Sequence, residues 1–158
     1  MSVLIDSGKQ FLVIGNQNAF GYKEVFKLIK ENKLWPGYNM VKQFSQPDGS
    51  LKTFGNVCWF TNMPTTKRQE EIKLSKDYKP AEYPSYDNFK AIEVDRVLNI
   101  PKDYSGIMGV PITFIDKYNP EQFEILNCSS FSDSDYYGCG PLYVDDKKKY
   151  ARVLIRHR

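Results

Sequence analysis

At 158 residues the chain has room for one domain with a real core and is too short for two well-built ones. Its 41% apolar and 26% charged residues are ordinary for a globular protein, and no stretch approaches the length of a membrane span. A net charge of +3 is too mild for a histone-like coat, so any nucleic-acid contact must come from a local patch. The three cysteines, Cys58, Cys128 and Cys139, include no C-x-x-C pair, which argues against a disulfide scaffold or a zinc site. A single histidine, His157, leaves little for Ser/His/Asp or Cys/His catalysis. Aromatic residues reach 15%; most should be core, although a base-binding protein uses the same rings as stacking surfaces. The first residues have neither a basic region nor an apolar run fit for export, so the cytoplasm is the expected location.

Gly8 fits the position just past a helix end, and residues 2–7 read as the last turn of a helix packing on the strand that follows. Residues 11–16 are that strand. It comes with no earlier strand or glycine-rich loop, the pattern expected of the second half of an α/β domain. Asn16 and Asn18 suit the cap of a helix over residues 19–33, whose Tyr22, Val25, Phe26 and Ile29 share one face, and Trp35-Pro36-Gly37 stops it. The turn-forming run Gln46-Pro47-Asp48-Gly49-Ser50 predicts a hairpin within residues 38–55. Residues 56–62 follow as a strand apolar on both faces and therefore central. Residues 67–71 read as a charged, mobile segment and 78–89 as an irregular loop, with a short strand over 91–94. Residues 106–111 read as a glycine-punctuated turn, with Pro111 opening a helix that ends at Asn119-Pro120. A strand over 123–126 and a polar loop over 129–140 precede the last strand, residues 150–158. There alternation puts Tyr150, Arg152, Leu154, Arg156 and Arg158 on a basic face and Ala151, Val153, Ile155 and His157 on an apolar one.

Four blocks together are more specific than these patterns: Phe11-Leu12-Val13-Ile14-Gly15-Asn16-Gln17-Asn18-Ala19 with Tyr22-Lys23-Glu24; Asn56-Val57-Cys58-Trp59-Phe60-Thr61-Asn62; Tyr86-Asp87-Asn88-Phe89-Lys90-Ala91-Ile92-Glu93-Val94; and the long run from Gly106-Ile107-Met108-Gly109-Val110-Pro111 through Asn119-Pro120-Glu121-Gln122-Phe123-Glu124-Ile125. In this order they resemble the C-terminal half of the EcoRI-type adenine-specific DNA methyltransferase family. The resemblance implies an α/β fold: part of a doubly wound, Rossmann-like methyltransferase sheet over residues 1–62, then irregular α+β target-recognition elements over 63–158. It also implies S-adenosylmethionine as methyl donor, double-stranded DNA as partner and a place in restriction-modification. The family's glycine-containing cofactor loop and Asn-Pro-Pro-Phe-type motif are absent from this sequence. Asn119-Pro120-Glu121-Gln122-Phe123 departs from that motif and reads as a helix stop followed by a strand.

No catalytic residue is therefore expected here. The donor is not expected to bind this chain alone, and activity would need a separate N-terminal half. The chemistry makes the absence serious, because an exocyclic adenine amine is a poor nucleophile and both its N–H groups need acceptors in the transition state. What this half can supply is a pocket for an extruded adenine, which stacks on an aromatic ring. Trp59 or Phe60 is the stacking candidate and core packing the alternative; Asn16 and Asn18 are pocket candidates with helix capping as theirs. Lys67, Arg68, Arg152, Arg156 and Arg158 are the candidate phosphate contacts, weighed against a solvated charged surface. The rival reading is a non-catalytic DNA-binding or oligomeric interaction module derived from such an enzyme; an unpaired sheet edge favours self-association under either.

Overall fold

The computed structural model describes residues 1–40, 42–132, 134 and 136–158, which form two compact units, Met1–Thr66 and Lys67–Arg158. In the first unit α1 (Ser2–Asp6) ends as its glycine predicts, with Gly8 at φ +67° and its N–H donating to the Ile5 carbonyl. It does not pack as expected. None of its residues is buried, because five residues are too few to present an apolar stripe.

β1 (Leu12–Asn16) leads into a 3-10 turn, Gln17–Gly21, and then α2 (Lys23–Lys30), where one continuous helix was expected. The break is Tyr22, extended at φ −91° and ψ 131°, which leaves its ring 61% exposed instead of on the buried face. Val25, Phe26, Leu28 and Ile29 form that face. The helix stops before Trp35: Asn32 takes φ +54°, its N–H donates to the Ile29 carbonyl, and the Lys33 N–H donates to Leu28, which together close a left-handed cap. Trp35 and Pro36 are freed to form β2 (Trp35–Pro36).

The expected hairpin is present as β3 (Gln43–Ser45) and β4 (Leu51–Thr53), with Gly49 at φ +83° and the Asp48 carboxylate accepting from both the N–H and the hydroxyl of Ser50. β5 (Val57–Thr61) is central as predicted, in the order β1-β5-β2. Both of its ladders are antiparallel, so the described strands of this unit contain no parallel crossover of the doubly wound kind. Cys58 and Phe60 are both buried on one face of β5, where Phe60 meets Phe20 of the 3-10 turn edge-on at 5.5 Å.

The second unit carries a four-stranded sheet of order β6-β7-β11-β8, built from β6 (Ile92–Glu93), β7 (Met108–Pro111), β8 (Phe123–Cys128) and β11 (Arg152–His157). β6 runs parallel to β7, and the other pairings are antiparallel. β9 (Tyr143–Val144) and β10 (Lys147–Lys148) make a small separate hairpin. Residues 106–111, expected as a turn, are mostly the buried strand β7. Gly109 is there for space, since a Cβ would stand 2.0 Å from the Tyr86 hydroxyl. The helix expected after Pro111 is a 3-10 helix, Ile112–Lys117. The chain before Ala91 is irregular, as expected, and is held by tyrosines: Tyr78 packs against Tyr83 and Tyr104, and the buried Tyr83 donates its hydroxyl to the Asn99 carbonyl.

The basic face expected on the last strand is not formed as such. β11 lies between β7 and β8, which pair both of its edges, and packing covers both of its faces over residues 153–155: Leu154 is 1% exposed among Tyr86, Ala91, Leu142 and Val144. Val153 and Ile155 bury on the other face, and Phe114 and Phe123 add an edge-on pair to that core at 5.4 Å. Among the described residues no helix is long and apolar enough to cross a membrane.

Candidate functional site

In the first unit the carboxyl end of β1 opens on a groove of about 450 Å³ lined by Ile14, Gly15, Asn16, Phe44, Ser45, Gln46, Phe54 and Val57. Three local events build it. Asn16 ends β1 and turns its side-chain oxygen back to accept from the Asn18 N–H at 2.8 Å, which caps the 3-10 turn. Val57 stands opposite Asn16 in the β1-β5 ladder and supplies the floor. The hairpin lays Phe44 and Phe54 beside them, edge-on at 5.5 Å, with the Lys52 ammonium 5.3 Å from the Phe54 ring centre. The lining is apolar and aromatic with a few amide and hydroxyl groups, the composition of a site for a flat, weakly polar ligand. None of the lining side chains is ionisable, so the ammonium, carboxylate and sulfonium of a methyl donor such as S-adenosylmethionine find no counter-charge there.

The expected pocket residues separate. Asn16 lines the groove and caps the turn at once; Asn18 is exposed and receives that cap through its backbone. Trp59 is half-buried on the same sheet face as Ile14, its register partner, with its Cβ packed against Gly37. Phe60 is 1% exposed on the opposite face, in the core against Phe20. Phe44 and Phe54 were missed. Their signal is faint but present: two aromatics flank the Gln46–Ser50 turn, and the hairpin register, with Phe44 opposite Lys52, brings Phe54 to the neighbouring diagonal position.

The basic candidates lie in the second unit and divide in the same way. Arg152 is committed inward: its Nε donates to both Glu93 oxygens at 3.0 and 3.1 Å and its Nη2 to Glu93 Oε1 at 2.6 Å, with side chains 12% and 5% exposed. Tyr86 donates its hydroxyl to the same carboxylate, and burial, followed by the Glu93 hydrogen bond and charge, pushes that hydroxyl well above its ordinary pKa. Glu93 also went unmarked in the sequence, although a lone acid inside Ala91-Ile92-Glu93-Val94 calls for a partner. Lys67 is paired with Asp116 at 2.6 Å, both partly buried.

The remaining three gather at one place. Arg68 lies over the Tyr118 ring at 5.9 Å from its centre. Burial raises the Tyr118 hydroxyl, while the charges of Arg158 and Arg68 pull it down, which sets both guanidinium groups near this ring. Arg156, two residues before Arg158, holds an exposed pair with Glu124 at 2.7 Å. Asn119, the start of the motif-like run, is spent on structure. Its oxygen accepts from the Glu121 N–H at 2.9 Å, its amide donates to the Glu70 carbonyl at 3.3 Å, and the residue is 1% exposed.

The sequence matches the model of the family described as adenine-specific methyltransferase EcoRI over residues 1–49 and 41–158. The chain belongs to that family. It is 37% identical over 175 residues to the type II methyltransferase M.EcoRI of Escherichia coli, covering 98% of this chain and 52% of that protein. It is 34% identical over 188 residues to the type II methyltransferase M.MpnI of Mycoplasma pneumoniae, covering 99% of this chain and 59% of that protein. The chain thus spans little more than half the length of these family members. No solved structure matches it.

Proposed function

We propose that this chain is the C-terminal portion of an S-adenosylmethionine-dependent adenine-N6 DNA methyltransferase, contributing DNA and target-base contacts and inactive alone. The observation that carries the reading is the groove at the carboxyl end of β1, where open α/β sheets take their ligands. An extruded adenine fits its chemistry. Phe44 or Phe54 offers a ring to stack on, and Asn16, whose oxygen is engaged in the cap, keeps its amide N–H groups for a base nitrogen. Asn18, Trp59 and Phe60 take no direct part in this version of the pocket. Arg68, Arg156 and Arg158 take the phosphate contacts, while Lys67 and Arg152 steady the unit that presents them.

S-adenosylmethionine supplies the methyl group in this reading, and the residues described here do not form its site. An N-terminal methyltransferase half would hold it and would supply the acceptors for the adenine amine. A cytoplasmic protein of a restriction-modification system follows from the same reading.

Two measurements on the purified chain test it. Calorimetry with S-adenosylmethionine is expected to give no tight binding by the chain alone; tight binding would sink the claim that the donor site lies elsewhere. Anisotropy with fluorescent duplex DNA is expected to show affinity that falls steeply with salt and weakens in Arg68→Ala/Arg158→Ala. A chain that ignores duplex DNA at low salt refutes the DNA-contact role.

A further inference from the structure

The groove at the end of β1 holds an amide that the fold does not use. In the β3–β4 turn the backbone of Gln46 is engaged on both sides: its N–H donates to the Ser50 carbonyl at 2.8 Å and its carbonyl accepts from the Gly49 N–H at 2.9 Å. Its side-chain amide has no hydrogen-bond partner among the described residues, although the residue lines the groove and is half-buried. Gln43, three residues earlier, differs, since its amide donates to the Thr53 hydroxyl at 3.5 Å across the ladder. Exposure alternates along this stretch: Gln43 and Ser45 are exposed, Phe44 and Gln46 half-buried. The Phe44 ring and the Gln46 amide therefore lie on one side of the strand and its extension. Two residues apart on a strand, they are spaced by about 6–7 Å.

We infer that Gln46 is the residue that selects the base in this groove: with an adenine stacked on Phe44, its amide N–H donates to N7 and its carbonyl accepts from the exocyclic amine. A base centred over the ring has its edge about one hydrogen bond, ~2.9 Å, short of a group at that spacing. An amide that keeps both a donor and an acceptor pairs with the N6/N7 edge of adenine at two points. Guanine offers two acceptors on this edge and a pyrimidine has no N7, so neither satisfies both ends of the amide. Asn16 cannot make the paired contact, because its oxygen caps the 3-10 turn and only its donors remain, and Ser45 brings a single hydroxyl. None of the lining side chains is ionisable, so no charge in the groove competes for the Gln46 amide. Both N–H groups of the amine still meet acceptors at methyl transfer, since the one beside N7 can be shared between Gln46 and an acceptor of the N-terminal half in a three-centre bond.

The inference rests on the reading that the groove takes an extruded adenine. An adenine opposite an abasic site is already unpaired, so the probe is a fluorescent duplex carrying such an adenine, compared with the same duplex carrying 7-deazaadenine, which keeps the amine and lacks the N7 acceptor. The parent chain is expected to bind the adenine duplex about fivefold more tightly, the worth of one hydrogen bond. Gln46→Ala should bind the two duplexes alike, with the salt slope and melting temperature of the parent, because the backbone bonds of the turn are untouched. Gln46→Glu, which keeps the length and an acceptor but has no donor, should lose the preference as well. An undiminished preference in Gln46→Ala, or no preference in the parent chain, overturns the inference. Phe44→Ala separates its failure from that of the groove reading. If Phe44→Ala weakens the adenine duplex while Gln46→Ala does not, the groove still takes the base and only the role of Gln46 falls; if neither variant differs from the parent, both fall.

Discussion

Arg152→Met separates the two roles open to the most deeply placed arginine of the last strand. Arg152 and Glu93 make three hydrogen bonds of 2.6, 3.0 and 3.1 Å with side chains 12% and 5% exposed. Removing one member of a buried ion pair costs about 3–5 kcal/mol, because the carboxylate left behind stays buried without its counter-charge. The Tyr86 hydroxyl still donates to Glu93 and blunts that penalty, so the lower end, about 3 kcal/mol, is the expected loss. With a urea slope of about 1–3 kcal/mol per molar, the unfolding midpoint falls by about 1–3 M. Urea titration followed by circular dichroism reads this directly. DNA anisotropy on the folded protein should change little. Replacing all three polar groups, Tyr86→Phe/Glu93→Leu/Arg152→Met, should recover most of the stability, since an apolar substitute for a buried pair is often neutral. A single variant within about 1 kcal/mol of the parent that loses DNA affinity while fully folded would refute the reasoning and return Arg152 to the phosphates.

Gly109→Ala puts a methyl group where the Tyr86 hydroxyl stands 2.0 Å away, and the displaced ring should cost about 1–3 kcal/mol; an unchanged melting temperature would show that β7 does not approach Tyr86. Burial first, and Glu93 second, keep Tyr86 protonated in the folded state at a pH where the unfolded chain loses that proton. Its contribution is therefore complete below about pH 10 and lost as pH rises above that value, and urea midpoints across this range should fall less steeply in Tyr86→Phe. Arg156→Ala/Arg158→Ala should lower the slope of log affinity for duplex DNA against log salt by about 2, with Lys79→Ala, from an exposed pair with Glu82, as the unchanged control. Phe44→Ala should leave the first unit folded, its ring being only partly buried, but abolish the fluorescence change of 2-aminopurine duplexes if the hairpin is the stacking platform; an undiminished signal would return that role to Trp59.

Elements with strong local signals were legible. β1, the central β5, the hairpin about Gly49 and the strand at Phe123 follow from periodicity and turn chemistry, because in each the neighbouring residues alone favour one backbone path. The errors have long-range causes. Residues 106–111 carry two glycines and a proline and look like a turn, yet β7 forms because Tyr86 fills the space above Gly109. Residues 19–33 have helical spacing throughout, yet Tyr22 extends and Asn32 closes the helix early, a cap geometry that spacing alone does not show. The same limit governed the site: Asn16 was visible as a strand-end polar group, while the groove needed Phe44 and Phe54, brought to it by a hairpin nearly thirty residues downstream.

The sequence by itself determined the family, because four blocks in a fixed order carry it without reference to any contact. It also shows directly that no Asn-Pro-Pro-Phe run occurs among its residues. Only the tertiary structure decided which of its candidates are exposed, paired or buried. Alternation tells that Trp59 and Phe60 lie on opposite faces, but not that the second is buried against Phe20 while the first stays half-buried beside Gly37. Charge patterning marks Arg152, Arg156 and Arg158 as equals, but the central place of β11 turns one onto a buried carboxylate and leaves the others in solvent. The physical reason is common to both: burial and ion pairing are set by residues far away in sequence, and a strand's own pattern does not contain its neighbours.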